Sequence, residues 1–478
     1  MEMAAADGAT VIINNSLAHE IKHHLENLPG NSMETEMFTI FRVPAHIREK
    51  NKELYKPRMV SIGPYYHNHK PLQAMEKHKW RYLRDYLSRN SRNNVEQCIS
   101  ELRGLESGAR RCYFEEVKLN SDKFLKMMLL DGSFIIEFLI KWYLRLPDAI
   151  FNVGWVLPII KSDLLLLENQ IPFLVIQKLY SLLICSDPAP TAEDNAVVGS
   201  RNPVTRIPSL DVMLLRYLSE NRVVHRADIT GVEIKHILHL YHLCYVPSQN
   251  ANNRSTRTIV TKDLINPIKL IFVFLAFLLK LCFRRKSNSI DERAPRTIPS
   301  ATDLQKAGIT FKSKRSENIL DINFKNGTLE IPFIAIEDTR RSRLLNLVSF
   351  EQSYRQLDLN LTSYSCFMGA LFKTTRDVTL LQEKKIIDNM LATHEELVSF
   401  FNRLTECSYM NYEAHYLKEV FIDVNRYYNS DWNKWMATLQ RDYFNNPWSI
   451  ISFAAASGLL VLTALQTFYT VFPYYHAK

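Results

Sequence analysis

Glycine is scarce in this chain, 13 of 478 residues or about 2.7% where about 7% is ordinary. So few leave little material for phosphate-cradling loops, and neither G-x-G-x-x-G nor a Walker A sequence occurs. Gly104 and Gly108 make only a G-x-x-x-G in a polar context. The nucleophile elbow G-x-S-x-G and a paired D-x-D are missing as well. The seven cysteines (Cys98, Cys112, Cys185, Cys244, Cys282, Cys366 and Cys407) are scattered, odd in number and never spaced C-x-x-C, which argues against a disulfide framework or a zinc ribbon. Residues 1–30 carry Asp7, Glu20 and Glu26 and no long apolar run, so no cleavable secretory signal is expected.

What is present is a globular composition: 46% hydrophobic and 23% charged residues are enough to bury a sizeable core. Near the carboxyl end, residues 448–472 run for 25 positions without a charge. As a helix at ~1.5 Å per residue they reach about 37 Å, beyond the ~30 Å of a hydrocarbon core. Trp448 at one end and Phe468, Tyr469, Tyr474 and Tyr475 at the other sit where aromatic belts prefer the headgroup level. A transmembrane helix is therefore expected, with Trp448, Gly458, Leu462, Gln466 and Phe472 along it and only the short tail 473–478 behind, the pattern of a tail anchor. Arg426, Lys434 and Arg441 precede it and Lys478 follows, a bias that puts the bulk of the chain in the cytoplasm. The N-x-[ST] sequons at Asn14, Asn253, Asn326 and Asn360 would matter only in the reverse orientation.

The net charge of +9 is uneven: residues 42–92 hold 13 Lys/Arg against 4 Asp/Glu, and 248–316 hold 14 against 4. A solvated face without a partner is the first reading of these stretches. For a membrane-tethered chain the nearer polyanion is the anionic leaflet, so lipid contact comes next and ranks above nucleic acid, which is not expected as a partner.

Residues 1–37 read as a polar leader and 38–445 as one large, mainly α domain interrupted by irregular insertions at 186–208 and 247–300. Trp80, Leu83 and Leu87 suggest a helical stripe, 124–144 an apolar helix in which Asp131 bends or caps the chain, and 344–368, 378–404 and 412–428 further helices. Within the second insertion, Leu270 to Leu279 are ten uninterrupted apolar residues flanked by lysines, too few to span a bilayer but suited to a buried or interfacial helix. The clear sheet signal is 319–334, where Asn326-Gly327 favours a two-residue hairpin. That turn sets Phe324 against Leu329, Ile322 against Ile331 and Leu320 against Phe333; residues 308–311 offer a further strand, and Pro332 suits an edge. The fold expected is mainly α, a large multi-helix domain with a small antiparallel β-hairpin or meander and a C-terminal transmembrane helix.

Three constellations invite chemistry. His19-Glu20-Ile21-Lys22-His23 is a literal H-E-x-x-H, but Lys22 lies between the would-be zinc ligands and the segment precedes the folded region, so no metal is expected there. His236, His239 and His242 step by three, which on a helix spreads rings rather than gathering them. Asp131 with Glu137, and Asp163 with Glu168, set carboxylates beside apolar runs, where burial raises a pKa toward acid–base use. In the 162–175 segment, Asp163 reads as a helix cap, Glu168, Asn169 and Gln170 as a polar interruption, and Pro172 as a stop or change of direction.

The stretches FRVPAHIREKNKELYKPRMVSIGPYYHNHKPLQAMEKHKWRYL (41–83), DGSFIIEF (131–138), SDLLLLENQIPFLV (162–175), PSATDLQKAGITFK (299–312), ILDINFKNGTLEIPFIAIED (319–338), NLVSFEQ (346–352) and the segment 431–470 together resemble the plant family known as domain of unknown function 247. The resemblance implies a plant protein, a single domain with a C-terminal membrane helix, and no catalytic residues to carry over. Some grass relatives are associated with self-incompatibility as partners of small secreted proteins. The expectation is a non-enzymatic membrane-anchored recognition, signalling or scaffold protein without a cofactor; the alternative is an enzyme of unrecognised type using Asp163 and Glu168.

Overall fold

The run 121–144 is apolar all round rather than on one stripe, and a helix of that kind has to lie inside other helices. In the computed structural model it does: from residue 124 to 141 every residue but Lys126 is buried. Asn120 caps it by accepting the Lys123 N–H at 3.0 Å, and it ends where Arg145 turns left-handed at φ 55°. Asp131 neither bends nor caps it. It sits in mid-helix, and the helix runs on unbroken because the carboxylate finds a buried cation, as described below.

The structure describes residues 17–23, 25–26, 38–90, 94–184, 207–219, 231–245, 295–316, 318–354, 356–406, 408–443 and 447–476. The 270–279 run and nearly all of the two insertions lie outside them. The element order is α1 (Ala45–Lys50), α2 (Lys52–Tyr55), α3 (Gln73–Ser88), α4 (Val95–Arg111), α5 (Ser121–Leu144), α6 (Val156–Asp163), α7 (Phe173–Ile184), α8 (Leu210–Leu218), α9 (Ile237–Leu243) and α10 (Ala301–Lys306). Then come β1 (Thr310–Lys314), β2 (Asn323–Lys325), β3 (Thr328–Pro332), β4 (Ile334–Ile336), α11 (Asp338–Ser353), α12 (Asn360–Leu371), α13 (Thr375–Glu383), β5 (Ile387–Asn389), α14 (His394–Glu406), α15 (Lys418–Tyr428), α16 (Asp431–Tyr443) and α17 (Pro447–His476). The fold is mainly α with a small β component.

α3, α4, α7 and α8 surround α5, while α11 packs on α2 and α6 and on α12 and α14, and one connected apolar core extends from Ile40 to Val424. α3 buries Met75, Lys79, Tyr82, Leu83 and Tyr86. The stripe read at Trp80, Leu83 and Leu87 is therefore rotated: Trp80 is 49% exposed, with the Lys126 ammonium 5.1 Å from its ring centroid. Pro172 starts rather than stops a helix, since α7 begins at the next residue and the Pro172 carbonyl accepts the Val175 N–H at 3.0 Å. The 378–404 stretch is two helices, because Lys385 turns left-handed and β5 follows.

The hairpin forms as its turn residues dictate, with Asn326 at φ 51° and Gly327 at φ 76°. Phe324 faces Leu329, but the antiparallel ladder ends at Asn323–Glu330 because residues 318–322 coil back on their own carbonyls. Leu320 is buried elsewhere, and Phe333, between β3 and β4, points outward at 51% exposure. β1 joins the other side of β3 in parallel, giving the order β1-β3-β2; β4 and β5 form a separate parallel pair. Pro332 thus closes a central strand, beyond the residues that β2 covers.

Candidate functional site

Residues 58–63 enter the interior, from exposed Arg58 to buried Gly63, without a strand beside them, and a buried backbone in that position needs partners for its polar groups. Side chains supply them. Asp163, the last residue of α6, accepts the N–H groups of Arg58 (3.0 Å), Met59 (2.7 Å) and Val60 (2.9 Å). Asn169 accepts the Ile62 N–H at 2.7 Å and donates to the carbonyls of Val60 (3.0 Å) and Asp163 (2.9 Å). Asp131 accepts the Gly63 N–H at 2.8 Å, and the Lys79 ammonium bonds both Asp131 (2.6 Å) and the Ser61 carbonyl (2.6 Å). A segment outside any helix or strand is held by four side chains in place of a sheet.

The remaining residues of the motif extend this clamp. Glu168 accepts from the Val43 N–H (2.9 Å), the Tyr66 hydroxyl (3.0 Å) and Arg48 (3.4 Å). Gln170 donates to the carbonyls of Leu164 (2.7 Å) and Leu166 (2.8 Å) and accepts the Leu238 N–H at 3.2 Å. Its own carbonyl receives the Tyr113 hydroxyl at 3.1 Å. Asn346 of α11 ties in the second half of the chain, accepting the Leu167 N–H at 2.9 Å and donating to the Leu54 carbonyl at 3.0 Å.

The electrostatics follow from burial. Asp163 is pushed up to about 6 by burial, against the pull of the three N–H groups of residues 58–60. Asp131 is raised by burial despite Lys79, and Glu137 is raised by burial despite a two-pronged bond from Arg89 at 2.5 and 2.8 Å. A carboxylate titrating near neutrality is suited to proton transfer. These oxygens, however, are engaged by the chain's own donors, and Asp163 is 1% exposed. Asp163 does not act as the helix cap expected from sequence: it closes α6 and reaches away from it to the 58–60 backbone. An open cleft of about 560 Å³ elsewhere, lined by residues that include Lys314, Arg315, Phe333, Lys385 and Asp388, contains none of these carboxylates.

Replacing Asp163 by Asn tests this role. The amide would direct an N–H2 group at backbone N–H groups, with an expected loss on the order of 2–3 kcal/mol. The readout is a lowered midpoint of thermal unfolding at neutral pH. An unchanged midpoint would show that the 58–60 segment does not depend on this carboxylate.

The three histidines do gather, contrary to the spacing argument. His236 precedes α9 as its N-cap instead of lying within it, and all three rings pack on Phe350, at centroid distances of 4.8, 5.7 and 5.8 Å. Their nitrogens nonetheless go to different partners. His236 Nδ1 accepts the His239 N–H, which leaves Nε2 to donate to the Thr39 carbonyl at 2.9 Å. His239 Nδ1 accepts the Lys235 N–H, and His242 Nε2 lies 2.8 Å from Glu351, which also accepts the N–H groups of Leu361 and Thr362. Burial and the neighbouring histidine push His236 down to about 3; burial, His242 and Lys235 push His239 down to about 4. Among the described residues no group of three or more His, Cys, Asp or Glu is placed to hold a metal ion. Residues 17–23, with His19 and His23, form an exposed helical turn.

Much of the positive charge in 42–92 is used internally. Arg42 pairs with Glu115, Arg48 with Glu168, Lys50 with Glu406, Lys79 with Asp131, Arg81 with Asp148 and Arg89 with Glu137. Trp448, Gly458, Leu462, Gln466 and Phe472 all lie on α17. Its stretch Ile451–Tyr469 is long and apolar enough to cross a membrane, and none of that stretch is buried in the fold.

Sequence reasoning found the motif at 163–172 but missed Lys79, Gly63, Asn346 and Glu351. A lysine in register with Met75, Tyr82 and Tyr86 on a buried helical face, and an aspartate inside an apolar helix, are complementary anomalies that could have been matched.

The family described as DUF247, plant protein of unknown function, matches residues 40–462. The chain is 32% identical over 456 residues to the UPF0481 protein At3g47200 of Arabidopsis thaliana, covering 93% of this chain and 88% of that one. It is 25% identical over 517 residues to the putative UPF0481 protein At3g02645 of the same plant, covering 96% and 94%. No solved structure matches.

Proposed function

This chain belongs to the DUF247 family of plant proteins of unknown function, and from that premise we propose that it is a non-enzymatic, membrane-anchored protein whose helical body serves protein–protein recognition or scaffolding. The observation that carries the proposal is α17. Its described side chains lie outside the core, Leu460 at 72% and Leu462 at 63% exposure, in a helix without a charge. A bilayer is the solvent that such a surface needs. The bias of Arg426, Lys434 and Arg441 on the near side favours a cytosolic body. An enzymatic reading would have to work with carboxylates whose oxygens are already bonded by the chain itself.

The test is extraction of full-length protein from membranes with alkaline carbonate, followed by protease protection of sealed vesicles. Retention in the pellet, with a digestible body and unglycosylated Asn326 and Asn360, is the expected result. Release into the supernatant overturns the anchor. Glycans on either asparagine overturn the cytosolic orientation.

A further inference from the structure

α16 is an amphipathic helix whose apolar stripe is not buried in the body. Trp432, Trp435, Met436 and Leu439 fall at i, i+3, i+4 and i+7, one face of a helix. The body contacts a different face. A Cβ built on Gly308 (φ +91°) would meet the Ala437 Cβ at 3.0 Å and the Asn433 carbonyl oxygen at 3.6 Å, and Asn433 Nδ2 donates to the Tyr427 carbonyl at 3.0 Å. At ~100° per residue, the Asn433–Ala437 side lies roughly 120° around the helix from the centre of the tryptophan stripe. Lys434 and Arg441 fall on the side opposite the stripe, with the Lys434 ammonium 5.0 Å from the Tyr428 ring centroid. None of the residues from 431 to 439 is buried, and Trp435 is 59% exposed.

Resting on the membrane anchor proposed above, we infer that α16 lies in the headgroup layer, with Trp432, Trp435, Met436 and Leu439 directed into the lipid and the body seated on its Asn433–Ala437 side. Continuity with α17 identifies the occupant. Only residues 444–446 separate the two helices, so the end of α16 stays within ~14 Å of the start of α17. Trp448, 75% exposed at that start, marks the same level. Tryptophan on one face and cations on the other is the composition of a helix lying in a lipid interface. The Gly308 turn and α15 would then form the membrane-proximal side of the body, leaving the opposite side for a partner.

Tryptophan quenching tests this on the full-length chain in nanodiscs of phosphatidylcholine and phosphatidylglycerol, with tails brominated either near the headgroup or near the chain end. Trp448→Phe removes the signal of the anchor, and comparison with Trp432→Phe and Trp435→Phe added to it isolates the emission of those two residues. The expected result is quenching of that difference emission by at least about twofold with the shallow bromines, and less with the deep ones. Trp435→Phe alone, at an exposed position, repeats the comparison with a single added substitution. Unquenched emission from protein that resists carbonate extraction overturns the interfacial helix and leaves the anchor standing. Protein that washes off in carbonate overturns both.

Discussion

Gly63→Ala is expected to prevent accumulation of folded protein, or to lower the thermal midpoint by at least ~5 °C, a loss of more than about 3 kcal/mol. Gly63 sits at φ +80°, where an L side chain is strained by roughly 1–2 kcal/mol. The added Cβ would also stand 2.3 Å from the Gln170 carbonyl oxygen, a backbone atom that already receives the Tyr113 hydroxyl. Neither side can yield cheaply. The Gly63 N–H is held by Asp131, and Gln170 is fixed through both ends of its amide. Moving Gly63 takes a donor from the Asp131 carboxylate, and moving Gln170 breaks its bonds to Leu164, Leu166, Leu238 and Tyr113, each group left unpaired at a cost of about 1–3 kcal/mol. Gly104→Ala is the control: it lies inside α4 with nothing within 4 Å of its added Cβ, and helix propensity alone should stabilise it by up to ~1 kcal/mol. Thermal melts of the two variants beside the parent settle the matter. A Gly63→Ala midpoint within about a degree of the parent would remove the clamp from the account of this fold.

That clamp marks the limit of what the sequence discloses. The hairpin turn, the apolar spine 121–144 and the charge-free stretch at 448–472 announce themselves locally, because turn chemistry and hydrophobic runs act over a few residues. The 163–170 motif was visible as a polar interruption but unreadable as a clamp. Its partners lie about 100 residues away, and they are backbone N–H groups of Arg58, Met59, Val60 and Ile62, which leave no signature in residue type. The parallel pairing of β1 with β3 was illegible for a related reason. Alternation fixes which face of a strand is apolar, not the direction of its neighbour. The histidine spacing misleads because the helical step does not hold at His236, which stands outside the helix as its cap.

Acidification from pH 7 to 4 should destabilise the body through His236 and His239. A histidine buried in its neutral form has a folded pKa below the usual 6.5, so the stability it contributes is complete above pH 6.5 and is lost as pH falls toward the folded value, about 3 for His236 and about 4 for His239. His236 faces the Thr39 carbonyl, Phe350 and His239; His239 faces Phe350, Tyr354 and the Lys235 backbone, with Glu233 the opposing charge near it. Asp163 works the other way. Its folded pKa is raised to about 6, so it gains relative stability as pH falls from 6 toward 3.8. Asp131 and Glu137, raised by burial, act as Asp163 does, and His78 and His415, lowered by burial, act as the two histidines do. His236 and His239 themselves each lose on the order of 3 kcal/mol by pH 4, at about 1.4 kcal/mol per pH unit of displacement. Carboxylates held below their ordinary range, Asp85, Asp148 and Asp377, add their loss only under more acid conditions. His236→Asn separates the contributions. Asparagine keeps an acceptor for the His239 N–H at the start of α9 but cannot take a charge, so some stability is surrendered at pH 7.5 while the decline toward pH 4 becomes shallower by the His236 share, on the order of 3 kcal/mol. Denaturant midpoints measured from pH 7.5 to 4 on both proteins read this directly. Parallel curves for parent and variant would mean that the ring on Phe350 does not titrate with unfolding, and that acid sensitivity arises elsewhere in the chain.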